Sequence, residues 1–164
     1  MMQDGEMAKE SGKQADGMVQ IRPMSPADIP AAAALERQSF SEPWSEQGFE
    51  DALLGQQNIF LVAEPEDDRI AGYIGLYGSF DEGDITNVAV EEGFRGRGIG
   101  TLLVNAVKEM AVRQGIRQIF LEVRESNEAA RNLYRSCGFE PCGRRKDFYR
   151  EPVEDAILMQ IRLG

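Results

Sequence analysis

The segment Val88 to Leu103, VAVEEGFRGRGIGTLL, constrains this chain more than any other stretch. An apolar, β-branched run precedes glycines that alternate with two arginines and an isoleucine, and a helix-like run follows. Glycine weakens regular structure but lets a ligand approach the backbone where a side chain would block it. The spacing puts the segment at a helix N-terminus, where the first N–H groups have no internal partner and the helix dipole adds partial positive charge. Bare N–H groups there, with Arg95 and Arg97 adding full charge, suit a pyrophosphate. A Walker A loop would need Gly-Lys followed by Ser or Thr, and RGRGIGTLL has no lysine. Gly96, Gly98 and Gly100 give G-x-G-x-G, not the G-x-G-x-x-G of a dinucleotide fold, and the early β-α-β placement is missing. The pattern that fits is R-x-x-G-x-G, at Arg95, Gly98 and Gly100.

Around this segment the expected order is β α α β β β α β α β β. Residues 1–17 are polar and aperiodic, and read as a disordered tail or an added leader, with Met18 as the natural start. Residues 18–164 read as one domain. Val19–Pro23 is a strand. A helix follows, with Ser25 at its cap and Pro26 at its first position. A second helix is capped by Ser45 and stops at Gly55. Asn58–Glu64 and the run IAGYIGLYGS form a hairpin, and Gly83–Val90 is a third long strand. The helix after the glycines ends at Gly115. Arg117–Arg124 is a strand. The helix after it carries Ala129, Ala130, Leu133, Tyr134 and Cys137 on one stripe, starts at Ser126 or Asn127 and stops at Gly138. Strands at Glu140–Arg145 and Asp155–Ile161 finish the chain. Strands split by helices beside strands joined by hairpins imply a mixed sheet covered by helices.

The chain has no histidine. That removes Ser-His-Asp triads, Cys-His pairs and histidine-ligated metals together, so acid–base chemistry falls to Glu, Asp, Tyr, Lys or Cys. Cys137 and Cys142 have neither CxxC nor metal-ligand spacing; they read as reduced thiols of a cytoplasmic protein, and no metal site is expected. A net charge of −10 argues against a general nucleic-acid binder. It fits either a cationic partner or solubility alone. No apolar run approaches the roughly 20 residues of a membrane span.

RGRGIGTLL after NVAV looks like the acetyl-CoA pyrophosphate loop of the GCN5-related N-acetyltransferase superfamily, and the downstream β-α-β-α-β-β order matches. The resemblance covers essentially Met18–Gly164. LEVRESNEAARNLYRSCGFEPCGRRKDFY followed by EDAILM resembles the ribosomal-protein alanine N-acetyltransferase branch, whose PWS segment is present as Pro43-Trp44-Ser45. The resemblance implies an α/β fold with a mixed, mostly antiparallel seven-stranded sheet flanked by four helices, its central strands splayed around the cofactor. It implies acetyl-CoA as cofactor and a protein N-terminus, that of a small-subunit ribosomal protein, as acceptor. A small-molecule amine or a lysine side chain is the alternative acceptor.

Acetyl transfer to an amine needs a neutral amine, a polarised carbonyl and a protonated leaving thiolate. A free α-amine has a pKa of about 7.7–8.0 against about 10.4 for lysine, so an N-terminus needs only a mild base. Strand alternation puts Phe120, Glu122 and Arg124 on one face and Ile119, Leu121 and Val123 on the other. A carboxylate there is costly unless paired or wet. By spacing alone Glu122 is either a salt-bridge partner, for Arg124 or Arg22, or a base; the resemblance implies the base. Tyr134 on its apolar stripe is either core or, by resemblance, the general acid. Asn127 is a cap whose amide, by resemblance, also reaches the pantetheine arm. The strand Asn87–Val90, with Val88, Ala89 and Val90, should offer backbone groups to that arm, with a backbone N–H near Ala89 or Val90 meeting the thioester carbonyl. Arg95, Gly96, Arg97, Gly98, Ile99, Gly100 and Thr101 complete the expected cofactor loop. Glu42, Pro43 and Trp44 should form one peptide wall, and the loop Lys146–Asp155, with Tyr149 and Asp155, the other. Trp44 could instead be a core anchor, and Tyr149 an exposed loop aromatic.

Overall fold

The computed structural model describes residues 19–66 and 69–164. The tail expected over residues 1–17, and Met18, lie outside the described residues. Seven strands form one sheet: β1 (Gln20–Pro23), β2 (Ile59–Glu64), β3 (Gly72–Ser79), β4 (Glu82–Val90), β5 (Gln118–Arg124), β6 (Glu140–Arg150) and β7 (Val153–Arg162). Their spatial order is β1-β2-β3-β4-β5-β7-β6, antiparallel throughout except for the parallel pair β4–β5. Four helices cover it: α1 (Ile29–Ser39), α2 (Glu46–Leu53), α3 (Ile99–Arg113) and α4 (Glu128–Ser136). None of them is long and apolar enough to cross a membrane.

Local signals set most helix ends. The Ser45 hydroxyl accepts from Gly48 N at 3.1 Å, and Asn127 Oδ1 accepts from Ala130 N at 3.1 Å. The first helix departs from expectation. Pro26–Asp28 is a 3-10 turn, and α1 begins only at Ile29. Pro30 has no N–H to donate to the Pro26 carbonyl, so the Ile29 N–H takes that acceptor in the tighter 3-10 pattern.

The sheet divides two cores. On one face α3 and α4 pack Leu103, Val107, Tyr134 and Cys137 against Ile74, Ile85, Ile119, Leu121 and Val123. On the other, α1 and α2 pack Ala32, Ala33 and Phe49 against Phe60, Val62, Tyr73 and Ala89. Ala129, expected on the α4 stripe, is exposed; Cys137 is buried and Cys142 exposed, both as free thiols.

Two irregularities shape the centre. Asn87 faces Gly75 and Ile85 faces Leu76, so Thr86 is an extra residue in β4. A bulge bends its strand and increases the local twist. Just before it, β4 loses β5: their pairing covers only Glu82–Asp84 with Gln118–Phe120. Beyond Asp84 the central strands splay, as the resemblance implied.

The second irregularity corrects the chain's end. β6 runs to Arg150, not Arg145, and β7 starts at Val153, not Asp155, so the expected substrate loop Lys146–Asp155 is largely a strand pair. Arg145 faces Ala156 and Tyr149 faces Glu154, leaving three residues of β6 against one of β7. Asp147 takes up the excess at φ 53°. Aspartate tolerates that left-handed region better than most residues. The polar run KDF looks like a loop in sequence because the bulge breaks its alternation.

Candidate active site

A cavity of about 400 Å³ occupies the splay. Its walls come from both faces of the sheet. Glu36, Glu42 and Trp44 contribute from the α1–α2 side, Ala130 and Tyr134 from α4, and Thr86–Val88 and Glu122–Arg124 from the diverging strands; Asn127, Tyr149 and Glu151 complete the rim. Thus Glu122, Tyr134, Asn127, Val88, Glu42, Trp44 and Tyr149 meet, although they are scattered over most of the sequence. Pro43 and Asp155 do not line the cavity. Asp155 instead accepts from Arg144 at 2.9 Å and from Asp147 N at 2.8 Å, which ties down the β6 bulge.

Glu122 sits on the expected face of β5, whose residues alternate between buried and half-buried. Its ion-pair partner is neither Arg124 nor Arg22. Arg124 binds Glu154 at 3.2 Å, and Arg22 binds Asp28 at 2.8 Å and Glu64 at 2.9 Å. Glu122 Oε2 lies 3.1 Å from Arg145 Nε, a partner two strands away that spacing could not reveal. The Glu122 side chain keeps 30% exposure, so it is both paired and wet.

Tyr134 is 7% exposed, with its ring edge-to-face on Phe139. Burial, with Tyr149 and Cys137 nearby, holds its phenol protonated far above any working pH. Among the described residues none hydrogen-bonds its hydroxyl. A buried polar atom without a partner is rare in folded proteins, and this one belongs to a cavity wall. Tyr149 lies under the Arg124 guanidinium, 4.3 Å from Cζ to ring centroid; its pKa is pushed up to about 12 by burial and by the Glu122 charge, against the Arg124 cation.

The glycine loop lies beyond the cavity, reached along β4. Gly96 and Gly98 adopt φ 79° and 83°, and a Cβ at either would meet nothing within 4 Å. The space over their backbone is therefore open to an anion. Ile99 turns its side chain into the core, leaving its backbone N–H at the start of α3. Arg95 serves the loop itself: its Nε donates to the Val90 carbonyl at 3.0 Å. That carbonyl was expected to serve the pantetheine arm. Arg97 lies over the Phe94 ring at 5.2 Å. The open cradle and the orphaned Tyr134 hydroxyl together fit a long ligand with an anionic middle and a reactive end.

Sequence reasoning missed Glu36 and Arg145. Glu36 is 2% exposed and accepts from the Tyr73 hydroxyl, from Asn87 Nδ2 at 3.0 Å and from Trp44 N at 3.0 Å. Burial pushes its carboxyl up, against the Trp44 and Asn87 hydrogen bonds. The signal was present: Ile29, Ala32, Ala33 and Glu36 follow the i, i+3, i+4, i+7 spacing of a buried stripe, so an acid sits where an apolar residue belongs. Trp44 is half-buried and packs against Phe49, Phe60 and Tyr77, so it anchors the core edge while lining the cavity.

The acetyltransferase (GNAT) family model matches residues 29–139. The chain is 35% identical over 148 residues to the [ribosomal protein bS18]-alanine N-acetyltransferase of Salmonella typhimurium, covering 86% of this chain and 95% of that one. It is 30% identical over 146 residues to the protein of the same name from Escherichia coli K12, covering 88% and 97%. The crystal structure of the ribosomal-protein-S18-alanine N-acetyltransferase from Escherichia coli superposes with a TM-score of 0.81 at 29% identity, over 90% of this chain and 95% of that chain. A cavity through a splayed sheet, an open glycine cradle at a helix start and these matches agree: the chain is an acyltransferase of the acetyltransferase (GNAT) family.

Proposed function

We propose that this enzyme is an acetyl-CoA-dependent N-α-acetyltransferase acting on the N-terminal alanine of a small-subunit ribosomal protein, by direct transfer in a ternary complex. The observation that carries the reading is that relatives at 30–35% identity, matched over almost their whole length, bear that activity in their names. A ribosomal-protein acceptor carries with it a cytoplasmic setting.

Bound acetyl-CoA would supply the activated acetyl thioester. The N–H groups of Gly96–Thr101 at the start of α3 would hold its pyrophosphate. The unpaired edge of β4 beyond Asp84 would hold its pantetheine arm in the manner of an added strand, with the Asn127 amide nitrogen beside it. A backbone N–H near Ala89 or Val90 would meet the thioester carbonyl. The Glu122 carboxylate takes the proton that the attacking α-amine must lose, directly or through a water. As the amine displaces the thiol, the Tyr134 hydroxyl would give its proton to the departing sulfur. Trp44 and Glu42 on one side and Tyr149 on the other line the way in for the peptide.

The test is acetylation of three peptides: one starting with alanine, its N-blocked form and a lysine-free form. Mass spectrometry should find one acetyl group on the first and third and none on the second. Acetylation of the N-blocked peptide would move the activity to lysine.

Gly98→Ala tests the cradle. Forcing an L-residue into φ 83° costs roughly 1–2 kcal/mol. Thermal unfolding should show a loss of that size, and calorimetry should show weaker CoA binding as the methyl enters the open space. Unchanged CoA affinity would exclude this loop as the pyrophosphate site.

A further inference from the structure

Glu36 is a charged group inside a core, and none of the chemistry above uses it. We propose that Glu36 is a positioning residue for the acceptor: its carboxylate clamps the Trp44 loop to the bulge of β4 and thereby sets the gap the peptide N-terminus enters. The inference rests on the N-terminal acetylation reading for its substrate, and on geometry for its mechanism.

An ionised carboxylate is acceptor-only, with about four lone-pair sites. Glu36 spends them on donors from three separate elements. Oε1 accepts from the Tyr73 hydroxyl of β3 and from Asn87 Nδ2 of β4, and Oε2 accepts from the backbone N of Trp44 in the loop between α1 and α2. Asn87 is bonded in turn, its Oδ1 accepting from the Thr86 hydroxyl at 2.5 Å. The NH2 group of Asn87 faces Glu36. A buried charge is costly, and an apolar residue would pack the site at no such cost. A purely structural role explains that cost poorly. Of the groups tied together, Glu36, Trp44, Asn87 and Thr86 all line the cavity. What the carboxylate joins is the acceptor wall to the cofactor strand, at the bulge that opens the sheet.

Glutamine replaces the carboxylate only in part. The Trp44 N–H can only donate, and glutamine has one uncharged acceptor oxygen, so it cannot serve both Trp44 and the Tyr73–Asn87 pair as the carboxylate does. One end of the clamp loses its charged acceptor while volume and shape are kept.

Trp44 is the only tryptophan in the chain, so its fluorescence reports on the clamp without reference to activity. In Glu36→Gln the emission should shift, and the peptide KM should rise about tenfold, as expected for one lost hydrogen bond to a charged group. Acetyl-CoA affinity should fall less than peptide affinity, because the cradle and the α3 N-terminus are untouched and only the bulge of β4 loses part of its tie. A folded Glu36→Gln protein with unchanged peptide KM overturns the proposal. So does an equal loss of peptide and acetyl-CoA binding, which would mark general damage.

A second measurement needs no variant. In the wild-type protein, protonating Glu36 removes an acceptor and should shift Trp44 emission at a midpoint above the ordinary carboxylate range, while far-ultraviolet circular dichroism stays constant. Tyr73 is the titratable side chain bonded to Glu36, and Glu42, Glu122, Arg124, Tyr134, Tyr149 and Glu151 share the cavity. A transition that persists in Glu36→Gln, or no transition at all, overturns the clamp. If no peptide is acetylated, the substrate reading fails while the fluorescence arms still decide the clamp.

Discussion

Replacing Tyr134 by phenylalanine should lower kcat by about a hundredfold or more, the range for loss of a general acid. Acetyl-CoA affinity should change by no more than about twofold, because the ring keeps its packing. Stability should stay level. The Tyr134 hydroxyl has no hydrogen-bond partner among the described residues and belongs to the cavity wall, so deleting it breaks no internal bond and should change stability by less than about 1 kcal/mol. Single-turnover kinetics and thermal unfolding on the same preparation test both parts. A core tyrosine without a catalytic role would leave both stability and kcat intact, and that result would remove Tyr134 from the mechanism.

Replacing Glu122 by glutamine should lower kcat/KM for the peptide by about a hundredfold, the lower end for a lost general base. The salt bridge to Arg145 supplies the competing explanation, and it makes a different forecast. The pair is partly exposed, 30% and 56%, so breaking it should cost less than about 1 kcal/mol of stability. If Glu122 mattered only as the partner of Arg145, then Arg145→Gln would damage activity as much as Glu122→Gln. As base, Glu122 should lose far more than Arg145 does. Steady-state kinetics of the two variants side by side decides between them.

Much of the fold was legible because its signals are local. The alternation of IFLEVR placed Glu122 on the correct face, since successive strand side chains must point to opposite sides. The stripe of Ala130, Leu133, Tyr134 and Cys137 placed Tyr134 indoors for the corresponding helical reason. The end of the chain was less legible. The three-against-one bulge between Arg145 and Tyr149 hides β6 inside a polar run, and Asp155 braces that bulge.

What the sequence by itself determined is whatever a few neighbouring residues can settle: the glycine turn at the head of α3, the Ser45 and Asn127 caps, and the inward face of each helix and strand. Tertiary structure alone decided the partners. Strict alternation would put Asn87 on the same face as Ile85. The bulge at Thr86 turns Asn87 to the other face, where it meets Glu36, fifty-one positions away in the chain. Likewise Glu122 finds Arg145 only after β6 has packed beside β7. Periodicity and capping act within about one turn or one pleat. The pairing of distant carboxylates with their donors depends on strand register, and one extra residue reverses every face that follows it.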